Sequence, residues 1–466
     1  MVFTSHIFLY YFLPATLAAY FALRRGRNLF LVAASYVFYA WANPWYVLLM
    51  FAATVIGYVC GNRIAAAPLE GPSRRGWLTL ALVLELSLLG FFKYLGFFED
   101  SLNGLLRAGG GGEVPVWRIL LPIGISFYVF HCVSYVMDLY RGTSFRARSL
   151  TDFACYIALF PQLVAGPIVR YRTIADEIVQ REHSPGKFSR GAALFILGFA
   201  KKVLLANQVG SLADAVFLAS APSTADAWFG ALAYAFQIYF DFSAYSDMAV
   251  GLGRMIGFDF PFNFHSPYQA DSITDFWRRW HISLSSFLRD YLYIPLGGNR
   301  LGPARTYLNL AIVMLLGGLW HGANWTFVAW GGFHGLMLAA ERATSRRSLY
   351  PWLPRSLRVL VTFVLIVFSW VLFRSPSFHE AGRMILIMVK LTPAREGSLL
   401  LAGEIYQRGS WFVMLLCASL VTVRLEADQW IADLGWRKTA VLGTLWAGCL
   451  AILPAQAFNP FLYFQF

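Results

Sequence analysis

Residues 308–340 read LNLAIVMLLGGLWHGANWTFVAWGGFHGLMLAA, a stretch without a single Asp, Glu, Lys or Arg. Leu308–Trp320 and Thr326–Ala340 are apolar runs that approach the length of a membrane span. Solid runs of this kind specify helices, whereas a membrane barrel shows alternation. Between them His321 places an imidazole at membrane depth, with Asn324 three residues later. Gly317, Gly318 and Gly322 strip side chains from both sides of it, which permits close helix approach or access of a thin ligand to the ring. Asn324, one turn on and near the same helical face, is placed to orient that ring. Two readings stand here. One is a hydrogen-bonded core histidine beside a glycine packing face. The other is a general base, since a neutral imidazole has the right proton affinity near pH 7 and a protein interior tends to keep it neutral.

The apolar pattern recurs along the chain. Of 466 residues, 58% are hydrophobic, 17% aromatic and only 14% charged, where a soluble domain carries about a quarter charged. Further runs are Ile7–Leu23, Leu29–Ala42, Trp45–Cys60, Trp77–Phe92, Ile119–Leu139, Ala192–Ala200, Ala227–Phe240, Val359–Phe373, Trp411–Val423 and Ala440–Ala455. The expectation is an all-α polytopic membrane protein with about eleven spans, in one membrane-embedded domain over residues 1–466. The formal charge of +13, from 38 Lys+Arg against 25 Asp+Glu, reads as topology-setting loops and not as a nucleic-acid surface. Arg24, Arg25 and Arg27 end the first run; Arg63, Arg74 and Arg75 follow the third; Arg141, Arg146 and Arg148 follow the fifth. The turns between, around Asn43-Pro44-Trp45 and from Glu99 to Glu113, lack that excess, which places the amino terminus outside and the arginine loops in the cytoplasm. The first run continues into arginines without a small-residue cleavage site, so no cleavable signal is expected. Cys60, Cys132, Cys155, Cys417 and Cys449 are dispersed with no CxxC, and read as packing residues.

Two regions break the pattern. Ala154–Ile168 holds Pro161 and Pro167 and has basic loops on both flanks, which implies a re-entrant or interfacial segment. Residues 237–300 place Asp241, Ser243, Ser246, Asp247 and Arg254 in or beside an apolar helix, where charges are expected to face the bundle interior or an aqueous cavity. After the interruption Pro261–Pro267, a helix is expected from Ser272 to Leu292, with Trp277, Trp280, Leu284 and Leu288 on one stripe, His281 beside it, and Arg278, Arg279 and Arg289 adding charge. Among the other histidines, His6, His183 and His379 read as ordinary. His131 suits core packing or an interhelical hydrogen bond, His265 a structural role, and His334 a hydrogen bond within the bundle. There is no HExxH, no histidine pair four apart and no cysteine near His321 or His281, so no metal is expected. A transporter calls for duplicated halves with paired broken helices, and no convincing duplication is visible. HxxxD, GxSxG and a P-loop are absent.

Five blocks carry a resemblance. LPIGISFYVF (121–130), ALFPQLVAGPIVRY (158–171), IYFDFSAYSDMAVGL (238–252), DFWRRWHISLSSFLRDYLYIPLGGNR (275–300) and LWHGANWTFVAWGGFHG (319–335) are similar to the membrane-bound O-acyltransferase (MBOAT) family. The likeness is to its bacterial branch, which includes alginate O-acetyltransferase and the teichoic-acid D-alanyl transfer protein, with the alginate type nearer. It covers roughly residues 10–340, while the hydrophobic spans of 355–460 add few distinctive motifs. Ala244 stands where alginate-type proteins usually carry glycine. The resemblance implies a helical bundle with re-entrant or interfacial helices around a central tunnel, in the bacterial inner membrane. It implies acetyl-CoA or another acetyl thioester as donor, with no bound cofactor. The acceptor it implies is an extracytoplasmic polysaccharide, alginate first, with cellulose, another exopolysaccharide or D-alanylated teichoic acid as alternatives. Accessory acetyltransferase proteins outside the membrane and the lipid bilayer complete the expected partners, without nucleic acid. His321 matches the family's catalytic histidine and is expected as general base; His281 matches its second polar position and would position or polarise the carbonyl. Asn324, Asp241 and Asp247 are expected as supporting or tunnel-lining groups. Arg278, Arg279 and Arg289 would steer an anionic coenzyme or acceptor, or hold lipid headgroups.

Overall fold

A computed structural model describes the chain except for residues 69–70, 345–347, 391–395, 424–425, 457–460 and 463–466, so the end of the expected 355–460 region lies outside the described residues. Among the described residues every regular element is a helix. The chain forms two compact units, Met1–Ala192 with Ala249–Pro261, and Ala193–Met248 with Phe262–Phe466.

The first unit contains α1 (Leu13–Ala22), α2 (Arg27–Ala40), α3 (Tyr46–Ala66), α4 (Pro72–Leu89), α5 (Leu95–Ala108), α6 (Ile125–Arg141), α7 (Leu150–Ala158) and α8 (Tyr171–Val179), and the start of α9 (Pro185–Ala200). α6 is buried along nearly its whole length, as an all-round apolar helix must be, with α3 and α4 packed on it. Arg74, one of the arginines read as topology-setting, is buried. It donates to the carbonyl oxygens of Leu139 and Tyr140 at 2.7 and 3.1 Å, placing a cation on the exposed carbonyls that end α6. After α7 the proline-rich segment runs without regular helix, yet buried. Its polar groups are covered by protein: Phe160 N donates to Ser35 Oγ (3.0 Å), Gln162 Nε2 to Tyr156 O (2.5 Å), and Tyr156 Oη to Val169 O (2.9 Å). That cover is the condition under which a broken helix survives in lipid.

The second unit contains α10 (Asn207–Leu218), most of α11 (Thr224–Met255), α12 (Ile273–Arg279), α13 (Ile282–Leu288), α14 (Pro303–His321), α15 (Trp325–Ala343), α16 (Arg355–Arg374), α17 (Phe378–Val389), α18 (Glu396–Ile405), α19 (Arg408–Thr422), α20 (Ala427–Trp430) and α21 (Trp436–Ile452). Its core is aromatic, with Trp330 stacked on Trp370 at 5.7 Å and Trp280 against Trp370 at 4.9 Å. α14 and α15 pack closely because glycines face each other. A Cβ on Gly318 would lie 2.2 Å from Phe327 O, and one on Gly331 2.2 Å from Met314 O. Of the glycines around His321, Gly318 therefore serves helix approach, while a Cβ on Gly317 would meet the Leu288 side chain and one on Gly322 the Phe327 ring.

Five helical stretches among the described residues are long and apolar enough to cross a membrane: Tyr46–Ala66, Pro72–Ala108, Pro185–Leu218, Arg355–Arg374 and Trp436–Ala455. α14 and α15 fall outside this set because Arg305, Asn309, His321 and the glycines dilute the apolar content of α14, and His334, Glu341, Arg342 and the glycines that of α15. The chain is an all-α polytopic membrane protein.

Candidate active site

His321 is the last residue of α14; Gly322 continues in extended backbone, and Asn324 starts α15. Asn324 does not share a helical face with His321, as the spacing suggested. Its Oδ1 caps α15 by accepting from Thr326 N at 3.1 Å, and its Nδ2 donates to Pro376 O at 3.0 Å. The helix ends at the histidine itself, so the one-turn spacing never forms.

His281 also departs from expectation. The helix anticipated over Ser272–Leu292 breaks there: α12 stops at Arg279, His281 takes a left-handed φ of 42°, and α13 begins at Ile282. The irregular Pro261–Pro267 segment holds the break open. Ile282 N donates to Asn263 O (3.0 Å), Ser283 N to Asn263 Oδ1 (3.1 Å), and His265 N to Arg279 O (3.0 Å). These bonds to another strand of chain replace the helical ones and turn the His281 ring inward.

The two imidazoles, forty positions apart in sequence, meet with ring centroids 6.3 Å apart and planes at 65°. His321 is 4% exposed and His281 fully buried. Trp320 (5.0 Å), Trp330 (5.2 Å) and Phe373 (5.3 Å) surround His321, and Phe242 lies 4.6 Å from His281. Such an aromatic wall excludes water and strengthens any hydrogen bond made inside it. Next to Trp330, His334 accepts from Trp277 Nε1 at 3.2 Å, the within-bundle hydrogen bond its position suggested. His131, in the first unit, packs against Tyr156 at 5.4 Å.

The expected supporting carboxylates turn out to be ion-paired. Asp241 binds Lys202 at 2.5 Å and accepts from Leu462 N at 2.8 Å; Asp247 binds Lys201 at 2.6 Å. Sequence reasoning passed over Lys201 and Lys202, although two lysines inside an apolar run demand buried counter-charges. Arg279 pairs with Asp275 at 2.8 Å and Arg289 with Asp290 at 2.7 Å, while Arg278 is exposed on α12. No group of three or more His, Cys, Asp or Glu side chains suited to a metal ion occurs among the described residues. Chemically, the site presents two imidazoles able to accept and donate a proton in a dry aromatic pocket.

Residues 129–378, which include both histidines and the helices that hold them, match the profile of the membrane-bound O-acyltransferase family. Over 100% of its length the chain is 46% identical to Probable alginate O-acetylase AlgI of Azotobacter vinelandii, itself covered to 100%. The chain belongs to the membrane-bound O-acyltransferase family. It is an O-acyltransferase and a multi-pass protein of the bacterial inner membrane. Other O-acyltransferase relatives include Peptidoglycan O-acetyltransferase of Helicobacter pylori, 37% identical over 84% of this chain and 80% of the relative. Teichoic acid D-alanyltransferase of Bacillus subtilis is 26% identical over 57% of this chain and 72% of the relative.

Proposed function

We propose that this O-acyltransferase carries acetyl groups from a cytoplasmic thioester, acetyl-CoA or an acetylated carrier, to an extracytoplasmic polysaccharide, with alginate as the polymer and His321 as general base. The observation that carries the reading is the approach of His321 and His281 to 6.3 Å in one buried aromatic pocket. At that spacing a single reacting group comes within hydrogen-bond reach of both rings. The acceptor oxygen attacks the thioester carbonyl as His321 takes its proton. The oxyanion of the tetrahedral intermediate accepts a hydrogen bond from His281. Collapse breaks the C–S bond, and the leaving thiolate takes the proton back from His321. General-base catalysis contributes about 10²–10⁴ in rate and one oxyanion donor roughly 10²–10³.

The full-length likeness to an alginate O-acetylase supports alginate over D-alanyl transfer, where the likeness is weaker and covers less of the chain. The peptidoglycan relative favours keeping another polysaccharide as the second reading. The crossings number about eleven in this proposal, since helices such as α14 and α15 span in pairs despite their diluted composition. They surround a tunnel, and the whole chain acts as one domain with accessory proteins outside the membrane. The α15–α16 connection carries Arg342, Arg346, Arg347, Arg355 and Arg358, and we assign it to the cytoplasm. His321 then lies towards the outer face, about 27 Å along α14 from Pro303, so the donor must reach it through a long, narrow arm.

Isotope-labelled acetyl donor added to membranes, with the labelled polymer identified, tests this. His321→Ala should abolish measurable transfer, a loss of at least about 10²-fold, with normal membrane insertion. Near-normal turnover in that variant would overturn the assignment of the base.

A further inference from the structure

A cavity of about 500 Å³ lies in the second unit among the end of α9, the middle of α11, and α19, α20 and α21. Its wall is aliphatic and aromatic, and it sits at membrane depth. Lys201 and Leu204 fall near the middle of the span Pro185–Leu218, Tyr239 and Phe240 at the middle of α11, and Leu416 near the middle of α19. On α21, Leu445 lies about 14 Å along the helix from Trp436, roughly half the hydrocarbon thickness of a bilayer. The other end is marked by Trp430. Lys438 Nζ lies over its ring at 5.4 Å and donates to its carbonyl oxygen at 2.7 Å. Trp and Lys together mark the headgroup level of a membrane protein. The cavity therefore runs from headgroup level to the midplane, which is the course of an acyl chain.

It opens to lipid at α19, where Phe412, Leu416 and Leu420 are exposed, and at α21, of which the rest of the protein covers little. Other occupants fit poorly. Lys201 is the charged group in the wall, and Asp247 binds it at 2.6 Å, so no anion is selected. Water stays in a cavity by making about two to four hydrogen bonds, and with Lys201 already bound this wall offers few. One turn of a partner helix, about 10 Å across, occupies roughly 400 Å³, so there is no room to seat a partner span. A single narrow hydrocarbon chain does fit. Its gain is not hydrophobic, because it leaves an equally apolar medium. The gain is the dispersion contact that a void of this size forfeits.

We propose that this cavity seats one acyl chain of a membrane phospholipid, entering between α19 and α21 with its tip against Leu205 and Leu445. The inner wall is Tyr239, whose ring lies 5.8 Å from Phe264 and 5.4 Å from Tyr268. Phe264 meets Phe242 at 5.0 Å, and Phe242 is the ring against His281. The chain thus fills the space behind the aromatic wall of the two histidines without entering their pocket. Such a chain is neither donor nor acceptor, so its binding is independent of the acetyl-transfer reading.

The full chain in lipid nanodiscs is photolysed with trace phosphatidylglycerol carrying a diazirine at the tip of one acyl chain or next to its carbonyl. Labelled residues are mapped by mass spectrometry. The tip probe should label Leu205 and Leu445 at least about fivefold above Leu80 and Leu84, exposed on α4, which report ordinary surrounding lipid. A phosphatidylethanolamine probe should label equally, because no charge in the cavity selects the headgroup. Leu416→Trp and Leu204→Trp, which fill the cavity from different helices, should each bring that labelling down to the α4 level. If neither variant folds, the wild-type protein decides through probe position: the carbonyl-side probe should favour Trp430 and the tip probe Leu445. Labelling no stronger than on α4, unchanged labelling in a folded Trp variant, or one pattern from both probe positions would each overturn the proposal. Stronger labelling by a polyprenyl phosphate probe would overturn it in favour of an isoprenoid.

Discussion

At His281 the backbone adopts a conformation that costs an L-residue with a Cβ about 1–2 kcal/mol and costs glycine almost nothing. This separates the side chain's chemistry from the fold. His281→Gly should melt at or above the temperature of His281→Ala, while both lose about 10²-fold or more in transfer rate. Retained transfer in either variant removes His281 from the mechanism, and a higher melting point for alanine removes the backbone argument. A second histidine reports on pH. His183 lies outside the spans with its Nε2 2.9 Å from Tyr20 Oη, and burial, followed by the charges of Arg27 and Arg181, pushes its pKa below the ordinary value. The unfolded chain then binds that proton more readily, so the contribution to stability is full above about pH 6.5 and is lost as pH falls through the lowered pKa. Melting of the wild-type protein should drop between about pH 7.5 and pH 5, and His183→Gln should flatten part of that drop. An identical pH dependence in the variant would count against it. His321 was legible in the sequence because an imidazole among apolar residues is conspicuous. The role of Asn324 was not, because it depended on where the helix stops.

At the scale of elements, α12 shows how a short helix is held. Its first free N–H groups have a complete set of partners. Glu341, 1% exposed near the end of α15, accepts from Ile273 N and Thr274 N at 2.8 Å each and from Thr274 Oγ1 at 2.6 Å. Ser272 Oγ accepts from Asp275 N at 3.0 Å. The carboxylate also suits the positive end of the helix. Glu341→Ala leaves several buried donors unpaired and should destabilise the protein by roughly 2–4 kcal/mol. Transfer should fall with it, since α12 leads directly into the His281 break. A melting temperature within a degree or so of wild type would refute that account. The stripe of Trp277, Trp280, Leu284 and Leu288 suggested one continuous helix, and its periodicity is real on either side of the break. What interrupts it is hydrogen bonding to Asn263 and His265, residues whose own sequence carries no sign of that contact.

For the whole molecule, the arginine bias predicts sidedness. All five cysteines are free and buried, so a membrane-impermeant maleimide meets a low background. Ala42→Cys, in the exposed turn between α2 and α3, should label in intact spheroplasts, and Arg25→Cys only in inverted vesicles. The opposite pattern would invert the topology and move the donor to the other face. Membrane residence, the all-helical class and the family were determined by the sequence itself. Partition into lipid sums over local composition, and the motifs that carry the resemblance are contiguous. The tertiary structure alone decided that Lys201 and Lys202 neutralise Asp247 and Asp241, that Asn324 caps α15 instead of orienting His321, and that His281 turns inward to meet it. These depend on contacts between elements far apart in the chain. In a membrane, a buried charge or imidazole must find its partner by packing, and no local pattern of residues encodes which partner that is.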